Sequence, residues 1–232
     1  MIALVLAGGT GRRMGRPKQF IELLGMPALH YTLRAFQESP EVTRIYTVGD
    51  RQGIEALAQK VGITKYAACA EPGEARSFST RNGLLLCEED PETIVLVHDG
   101  SRCLVTPDLI KRVVDAAVGE SEPDGVIPGV PVSDTIKVAR NGTVGETLDR
   151  TNLCAVQTPQ AFRLGLMRRL HDSPEESLRT ATDDASLVER AGGRVEVVAG
   201  EKTNIKLTSP EDLVFAEAIL AAREGAARET LP

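Results

Sequence analysis

The stretch Leu6-Ala-Gly-Gly-Thr-Gly-Arg-Arg-Met-Gly-Arg-Pro-Lys-Gln-Phe20 carries the densest chemistry in the chain. It follows a short apolar run, and its small residues let a ligand approach the backbone closely. Successive N–H groups in such a loop can form a concave nest for an anion. Arg13 and Lys18 add permanent charge, Arg12 and Arg16 add more, and residues 1–20 contain no acid. Together these parts describe a cradle for a triphosphate. Two rival phosphate loops fail on the letters. A P-loop needs G-x-x-x-x-G-K-[ST], and the sequence has no Gly-Lys pair. The dinucleotide fingerprint G-x-G-x-x-G fails because Met14 stands where the third glycine belongs, with Gly15 one place late. That sets aside an NAD(P)-dependent enzyme. A plain surface turn with solvated arginines is the bland alternative, and the length of the string speaks against it.

A second group is Val97-His98-Asp99-Gly100-Ser101-Arg102. Asp99 ends an apolar run, where it could face a metal or a hydroxyl, or simply serve a turn. His98, Asp99 and Ser101 invite a hydrolase reading. Neighbouring residues on a strand point to opposite faces, so they cannot converge as a triad. No G-x-S-x-G elbow is present either. The four cysteines (Cys69, Cys87, Cys103, Cys154) form no C-x-x-C pair and read as buried, reduced thiols. The three histidines (His30, His98, His171) show no metal-binding spacing.

The elements that must position these groups follow from the apolar pattern. With 232 residues, 42% apolar and 26% charged, the chain is long enough for a full core without staples. A net charge of −6 and a 3% aromatic content argue against a nucleic-acid partner. The N-terminal apolar run precedes its positive charges, the reverse of a signal peptide, and no run approaches the ~18 apolar residues of a membrane span. A cytoplasmic protein with no membrane partner is expected.

Ile2–Ala7, Ile45–Gly49 and Thr93–His98 read as buried strands. Helices are expected after Pro27, with Leu29, Leu33 and Phe36 on one side, and over 53–61 and 76–88, although Gly83 weakens the last. Thr106-Pro107-Asp108 and Ser209-Pro210-Glu211-Asp212 give the cap, proline and acid that open a helix, the second running to about Glu224. Alternating strands and helices imply an α/β fold: a Rossmann-like, doubly wound, mostly parallel sheet, with ligands at the carboxyl ends of its strands. Residues 130–158 break the rhythm. Two short runs flank Asn141-Gly142, a strong hairpin signal. They read as an inserted β-arm at about 131–156, with an edge hairpin on the same sheet as the alternative. No repeat or linker is evident, so 1–232 reads as a single domain plus the arm.

With these motifs assembled, the sequence resembles the 2-C-methyl-D-erythritol 4-phosphate cytidylyltransferase family, of isoprenoid precursor biosynthesis. The likeness spans nearly the whole chain. Beyond the first loop it includes Val97–Arg102, Asp134-Thr135, Asp149-Arg150, Thr158-Pro159-Gln160, Thr182-Asp183-Asp184 and Asn204-Ile205-Lys206. The resemblance implies a fold of the nucleotide-diphospho-sugar transferase type and transfer of CMP from CTP to the polyol phosphate, releasing pyrophosphate, with Mg²⁺ held mainly by phosphates and Asp99 a possible ligand. It implies catalytic roles for Arg13, Lys18, Arg150 and Lys206. Ala7, Gly8, Gly9, Gly11, Gly73, Glu74, Ser79, Asp99 and Gly100 would hold the nucleotide. Asp99, Arg102, Thr135, Arg150, Thr182 and Lys206 would hold the acceptor. Thr135 and Arg150 would come from the arm of a second subunit, so a homodimer with shared sites is implied.

The sequence departs from the family pattern in places. The segment joining Arg13-Met14 to Pro17-Lys18 is short. Gly100-Ser101 replaces a usual pair of alanines, Cys103 a common proline, Gly8 an alanine and Glu74 an aspartate. These bear mainly on which acceptor is used. A ribitol-5-phosphate cytidylyltransferase shares much of the motif set, and a non-catalytic nucleotide-binding domain of the same fold is the alternative from another class. The joint presence of Arg13, Lys18, Arg150 and Lys206 favours an enzyme, since a binding module needs only the first pair.

Overall fold

The computed structural model describes residues 1–9, 11 and 17–229. In chain order its elements are β1 (Ile2–Ala7), β2 (Glu22–Leu23), β3 (Met26–Pro27), α1 (Ala28–Glu38), β4 (Arg44–Gly49), α2 (Arg51–Lys60), β5 (Tyr66–Ala70), α3 (Arg76–Leu86), β6 (Ile94–Asp99) and α4 (Pro107–Ala117). There follow β7 (Gly125–Pro131), β8 (Lys137–Arg140), β9 (Thr143–Thr147), β10 (Cys154–Val156), β11 (Gln160–Arg163), α5 (Leu164–His171), α6 (Glu175–Arg179), α7 (Ala185–Arg190), β12 (Val195–Ala199) and α8 (Pro210–Glu229).

β1 is apolar at every position because it lies inside the sheet, parallel to β4 on one side and β6 on the other. Its alternate residues feed two cores, as a period of two requires. Ala3 and Val5 pack with Leu33, Phe36, Ile54 and Val113 from the helices of one layer. Ile2 and Leu4 pack with Leu84, Leu164 and Met167 of the other. Each such buried side chain contributes roughly 1.5–3 kcal/mol. Gly83 sits mid-helix for a steric reason: a Cβ there would lie 2.4 Å from Leu4 Cδ1 and 2.8 Å from Val48 Cγ2, so α3 approaches β1 and β4 only with glycine at that place.

The sheet has eight strands and is mostly parallel. β11 runs antiparallel between β6 and β7, β10 pairs antiparallel with the end of β7, and β12 pairs parallel with β7. The anticipated strands and helices are present with small shifts of boundary. β2, β3, β5, β7, β11, α5, α6, α7 and β12 lie where the pattern gave no clear signal. Thr106 caps α4 by accepting the N–H of Leu109 at 3.1 Å, with Pro107 in the first turn. At α8 the Asp212 carboxylate accepts the N–H groups of Thr208 and Ser209 at 2.6 and 2.7 Å.

The hairpin expected at Asn141-Gly142 forms a separate two-stranded sheet, β8 with β9. Both turn residues have positive φ, 50° and 78°, as the tight turn that matches strand twist demands. This hairpin does not pair with the main sheet, so it is not an edge of it. The last part of the segment does return: β10 rejoins the main sheet beside β7. That position corrects one expectation. Cys69, Cys87 and Cys103 are buried free thiols, but Cys154 is exposed because β10 closes the end of the sheet. Burial pushes the Cys87 and Cys103 thiols up to about 12.

Candidate active site

Strand order reverses at β1, and its carboxyl end meets that of β6, where Gly100 N–H donates to Leu6 O at 2.8 Å. A crevice at such a switch point is where parallel sheets bind ligands. Here it holds a cleft of about 530 Å³, lined by Ala7, Gly8, Gly9, Gly11, Gly73, Glu74, Ser79, Asp99, Lys18 and Lys206, among others. Gly100 lies just behind this wall. Arg13, Arg12 and Arg16 lie outside the described residues. Gly8 is fixed by its neighbour, since a Cβ there would stand 2.4 Å from Pro72 Cβ. Ser79 is committed to the loop itself: its hydroxyl oxygen accepts Gly73 N–H at 3.0 Å and its proton goes to Ala75 O at 3.1 Å. Glu74 pairs with Arg179, which also covers the Phe78 ring.

Lys18 and Lys206 come from opposite ends of the chain and line the same cleft. The Lys18 ammonium donates to Leu207 O at 2.9 Å, beside residue 206. The segment carrying Lys206 is sewn down by side chains. Gln157 Nε2 donates to Glu201 O at 2.8 Å, Asn204 Nδ2 to Thr158 O at 2.9 Å, and Leu207 N–H to Ser101 O at 2.9 Å. Arg102 reinforces it, donating to Asn204 O at 2.9 Å and Val156 O at 3.1 Å.

A second pocket of about 420 Å³ adjoins the first, lined by Arg102, Gln160, Thr182, Asp183, Ser186 and others. Asp183 also steadies the start of α7, accepting Ser186 N–H at 3.0 Å. Arg76, Asp99 and Lys206 line both pockets and form the wall between them. Asp99 Oδ1 accepts from Arg76 Nε at 2.9 Å, and Asp99 Oδ2 from Lys206 Nζ at 2.6 Å. Burial alone would push the Asp99 carboxyl up. The Arg76 and Lys206 charges outweigh it and hold the group well below the usual carboxylate range. Burial likewise opposes the charge on Arg76, and Asp184 and Asp99 more than restore it.

His98 takes no part in this wall. Asp99 N–H donates to Thr158 Oγ1 at 3.0 Å, and that hydroxyl reaches His98 Nδ1 at 3.0 Å. His98 Nε2 lies 3.1 Å from Arg102 O, so the network assigns the proton to Nε2. Complete burial pulls the imidazole down to about 4. It is a structural tie between β6 and its neighbours, consistent with the exclusion of a triad.

Two acceptor-side residues are elsewhere. Thr135 and Arg150 are exposed near the arm, Arg150 donating to Ser133 O at 2.6 Å, and neither lines either pocket. Sequence reasoning missed Arg76, which bridges Asp99 to the buried Asp184 at 2.5 Å. A signal existed. Arg76 opens α3, whose first turn has no acid, and a cation is disfavoured at a helix N-terminus unless acids elsewhere hold it. Among the described residues no group of three or more His, Cys, Asp or Glu side chains is arranged to hold a metal. No helix among them is long and apolar enough to cross a membrane.

Comparison with known proteins gives one direction. The family model described as 2-C-methyl-D-erythritol 4-phosphate cytidylyltransferase matches residues 1–222. The protein of that name from Rubrobacter xylanophilus is 69% identical over 223 residues, covering 96% of both chains. Its counterpart from Geobacillus kaustophilus is 46% identical over 226 residues, covering 95% of this chain and 97% of its own. Among solved structures, that from Thermus thermophilus superposes with a TM-score of 0.75 at 30% identity, covering 94% of this chain and 98% of its own. That from Francisella tularensis gives 0.78 at 29% identity, covering 94% and 99%.

Proposed function

The chain belongs to the 2-C-methyl-D-erythritol 4-phosphate cytidylyltransferase family, and from that premise we propose how its own residues transfer CMP from CTP to the polyol phosphate. An acceptor phosphate oxygen attacks the α-phosphorus of CTP. The new P–O bond forms as the bond to the β-phosphate breaks, and pyrophosphate leaves. The attacking oxygen is already an anion, so no general base is needed. The protein must bring two polyanions together and offset the charge that builds up between them.

The observation that carries this reading is the shared wall: Arg76, Asp99 and Lys206 separate a nucleotide-sized cleft from a second polar pocket. CTP occupies the cleft, its base and ribose against Ala7, Gly8, Gly73, Glu74 and Ser79. Its phosphates lie on the loop of Gly9 and Gly11, where Arg13 and Lys18 neutralise the five-coordinate α-phosphate. The acceptor occupies the second pocket, with Thr182 and Arg102 near its polyol and Lys206 on its phosphate. Asp99 is the sole acid, among the described residues, to line both pockets. It fits a Mg²⁺ ion carried on the triphosphate, as one protein ligand beside phosphate oxygens. Bound there, the ion supplies charge neutralisation along the phosphates.

The second acceptor cation, Arg150, and Thr135 reach the site from the exposed arm of another copy of the chain, so the working enzyme is a homodimer. Buried free thiols and a triphosphate substrate fit a cytoplasmic setting. The test supplies purified protein with CTP, Mg²⁺ and either 2-C-methyl-D-erythritol 4-phosphate or ribitol 5-phosphate, and follows pyrophosphate. Release is expected with the first acceptor. Comparable turnover with ribitol 5-phosphate alone would reassign the acceptor pocket, and none with either would leave a binding domain.

A further inference from the structure

We infer that Arg76 is a positioning residue for the transfer, fixing one oxygen of Asp99 from behind so that the other is free to exchange Lys206 with the reactants. The inference rests on the cytidylyl-transfer reading.

The geometry is a chain of polar contacts in which acid and base alternate from Asp184 outward. His171 Nε2 meets Asp184 Oδ1 at 3.2 Å, and Asp184 Oδ2 meets Arg76 Nη1 at 2.5 Å. Arg76 Nε meets Asp99 Oδ1 at 2.9 Å, and Asp99 Oδ2 meets Lys206 Nζ at 2.6 Å. Its two ends differ in burial. The Asp184 and His171 side chains are each 1% exposed, Asp99 11%, Arg76 25% and Lys206 41%. The inner end is anchored and the outer end is free to move.

With Lys206 on Asp99 Oδ2, both oxygens of that carboxylate are taken. When Lys206 turns its ammonium from Asp99 to the acceptor phosphate, the Oδ2 contact opens. Asp99 then keeps its place only if something else holds it, and Arg76 is the other partner. The guanidinium suits this task because its rigid planar fork holds two carboxylates in a fixed geometry, where an ammonium is a point charge on a flexible stem. Its third nitrogen, Nη2, is sealed from solvent without a hydrogen-bond partner among the described residues. The group is therefore held by its two acids alone. Arg76 acts through Asp99, and its position is set by Asp184.

The experiment compares the wild-type chain with Arg76→Gln, Arg76→Lys and Asp184→Asn. Pyrophosphate release gives kcat and the acceptor KM. Calorimetry with CTP and Mg²⁺, without acceptor, gives nucleotide affinity, and thermal unfolding checks the fold. Arg76→Gln is expected to lower kcat about 100-fold with CTP affinity changed less than about 3-fold, the signature of lost positioning rather than lost binding. Arg76→Lys should recover part of the loss, to within about 10-fold of wild type, since it restores charge but not the fork. Asp184→Asn, which loosens the brace without touching either pocket's reactants, should cost about 5-fold or more in kcat and leave CTP affinity unchanged. The inference is overturned if Arg76→Gln turns over within about 3-fold of wild type, or if its whole loss appears as weaker CTP binding. Should that variant fail to fold, Asp184→Asn decides alone, and an unchanged kcat overturns the idea. A wild-type chain that releases no pyrophosphate sinks the transfer reading instead, so the two failures are distinct.

Discussion

Lys18 and Lys206 share a cleft, and the proposed mechanism gives them different reactants, so truncating each should separate their work. Lys18→Ala is expected to lower kcat about 10³-fold while CTP affinity moves only a few-fold, because the charge it offsets develops in the transition state. Pyrophosphate assays with direct CTP titration check this, and a change confined to affinity removes Lys18 from the catalytic set. His98 makes a different prediction. Its imidazole titrates at about 4 when folded and 6.5 when free, so between those values the unfolded chain holds the extra proton. Stability from this site is complete above pH 6.5 and is lost as pH falls towards 4, by roughly 2–3 kcal/mol. Urea midpoints at pH 7.5 and 4.5 should differ less in His98→Gln than in wild type, and equal differences would refute the assignment. At this scale the sequence was legible where a side chain sits on a motif, as with Lys18, Asp99 and Lys206. Arg76 escaped, and Asp184 was read only as part of a motif, because their meaning is a contact across 108 positions of chain.

The elements show why only part of the sheet could be read in advance. β1, β4 and β6 are buried on both faces, so their continuous apolar runs mark them plainly. β12 and β5 are half-buried, β12 interrupted by Glu196 and β5 built mostly of alanine, and the short α6 and α7 have too few turns to display a helical period. Gly83 misled for a physical reason. It lowers helix propensity, yet packing of α3 against Leu4 and Val48 requires it. Gly83→Ala gains up to ~1 kcal/mol in propensity and loses ~1–3 kcal/mol to overpacking. The variant should therefore unfold at lower denaturant with an unchanged slope, and a stabilised variant would show that the layers have slack.

On the scale of the whole molecule, a hairpin stands apart from the main sheet, and the proposed function has it divide the site between two chains. That arrangement can be tested by mixing two crippled proteins. Lys206→Ala spoils the pocket of its own chain, and Arg150→Ala spoils the arm it lends. In an equal mixture that exchanges subunits, half the dimers are mixed, and each mixed dimer has one intact site. Activity should recover to about a quarter of wild type. No recovery, with exchange confirmed, would place Arg150 in its own chain's site. The resting wall has a last consequence. Two basic groups, Arg76 and Lys206, stand against two acids, Asp99 and Asp184, so their charges cancel. In a chain of net charge −6 this crevice carries its own tethered counter-ions. A bare sulfate or inorganic phosphate finds little attraction there and should compete poorly.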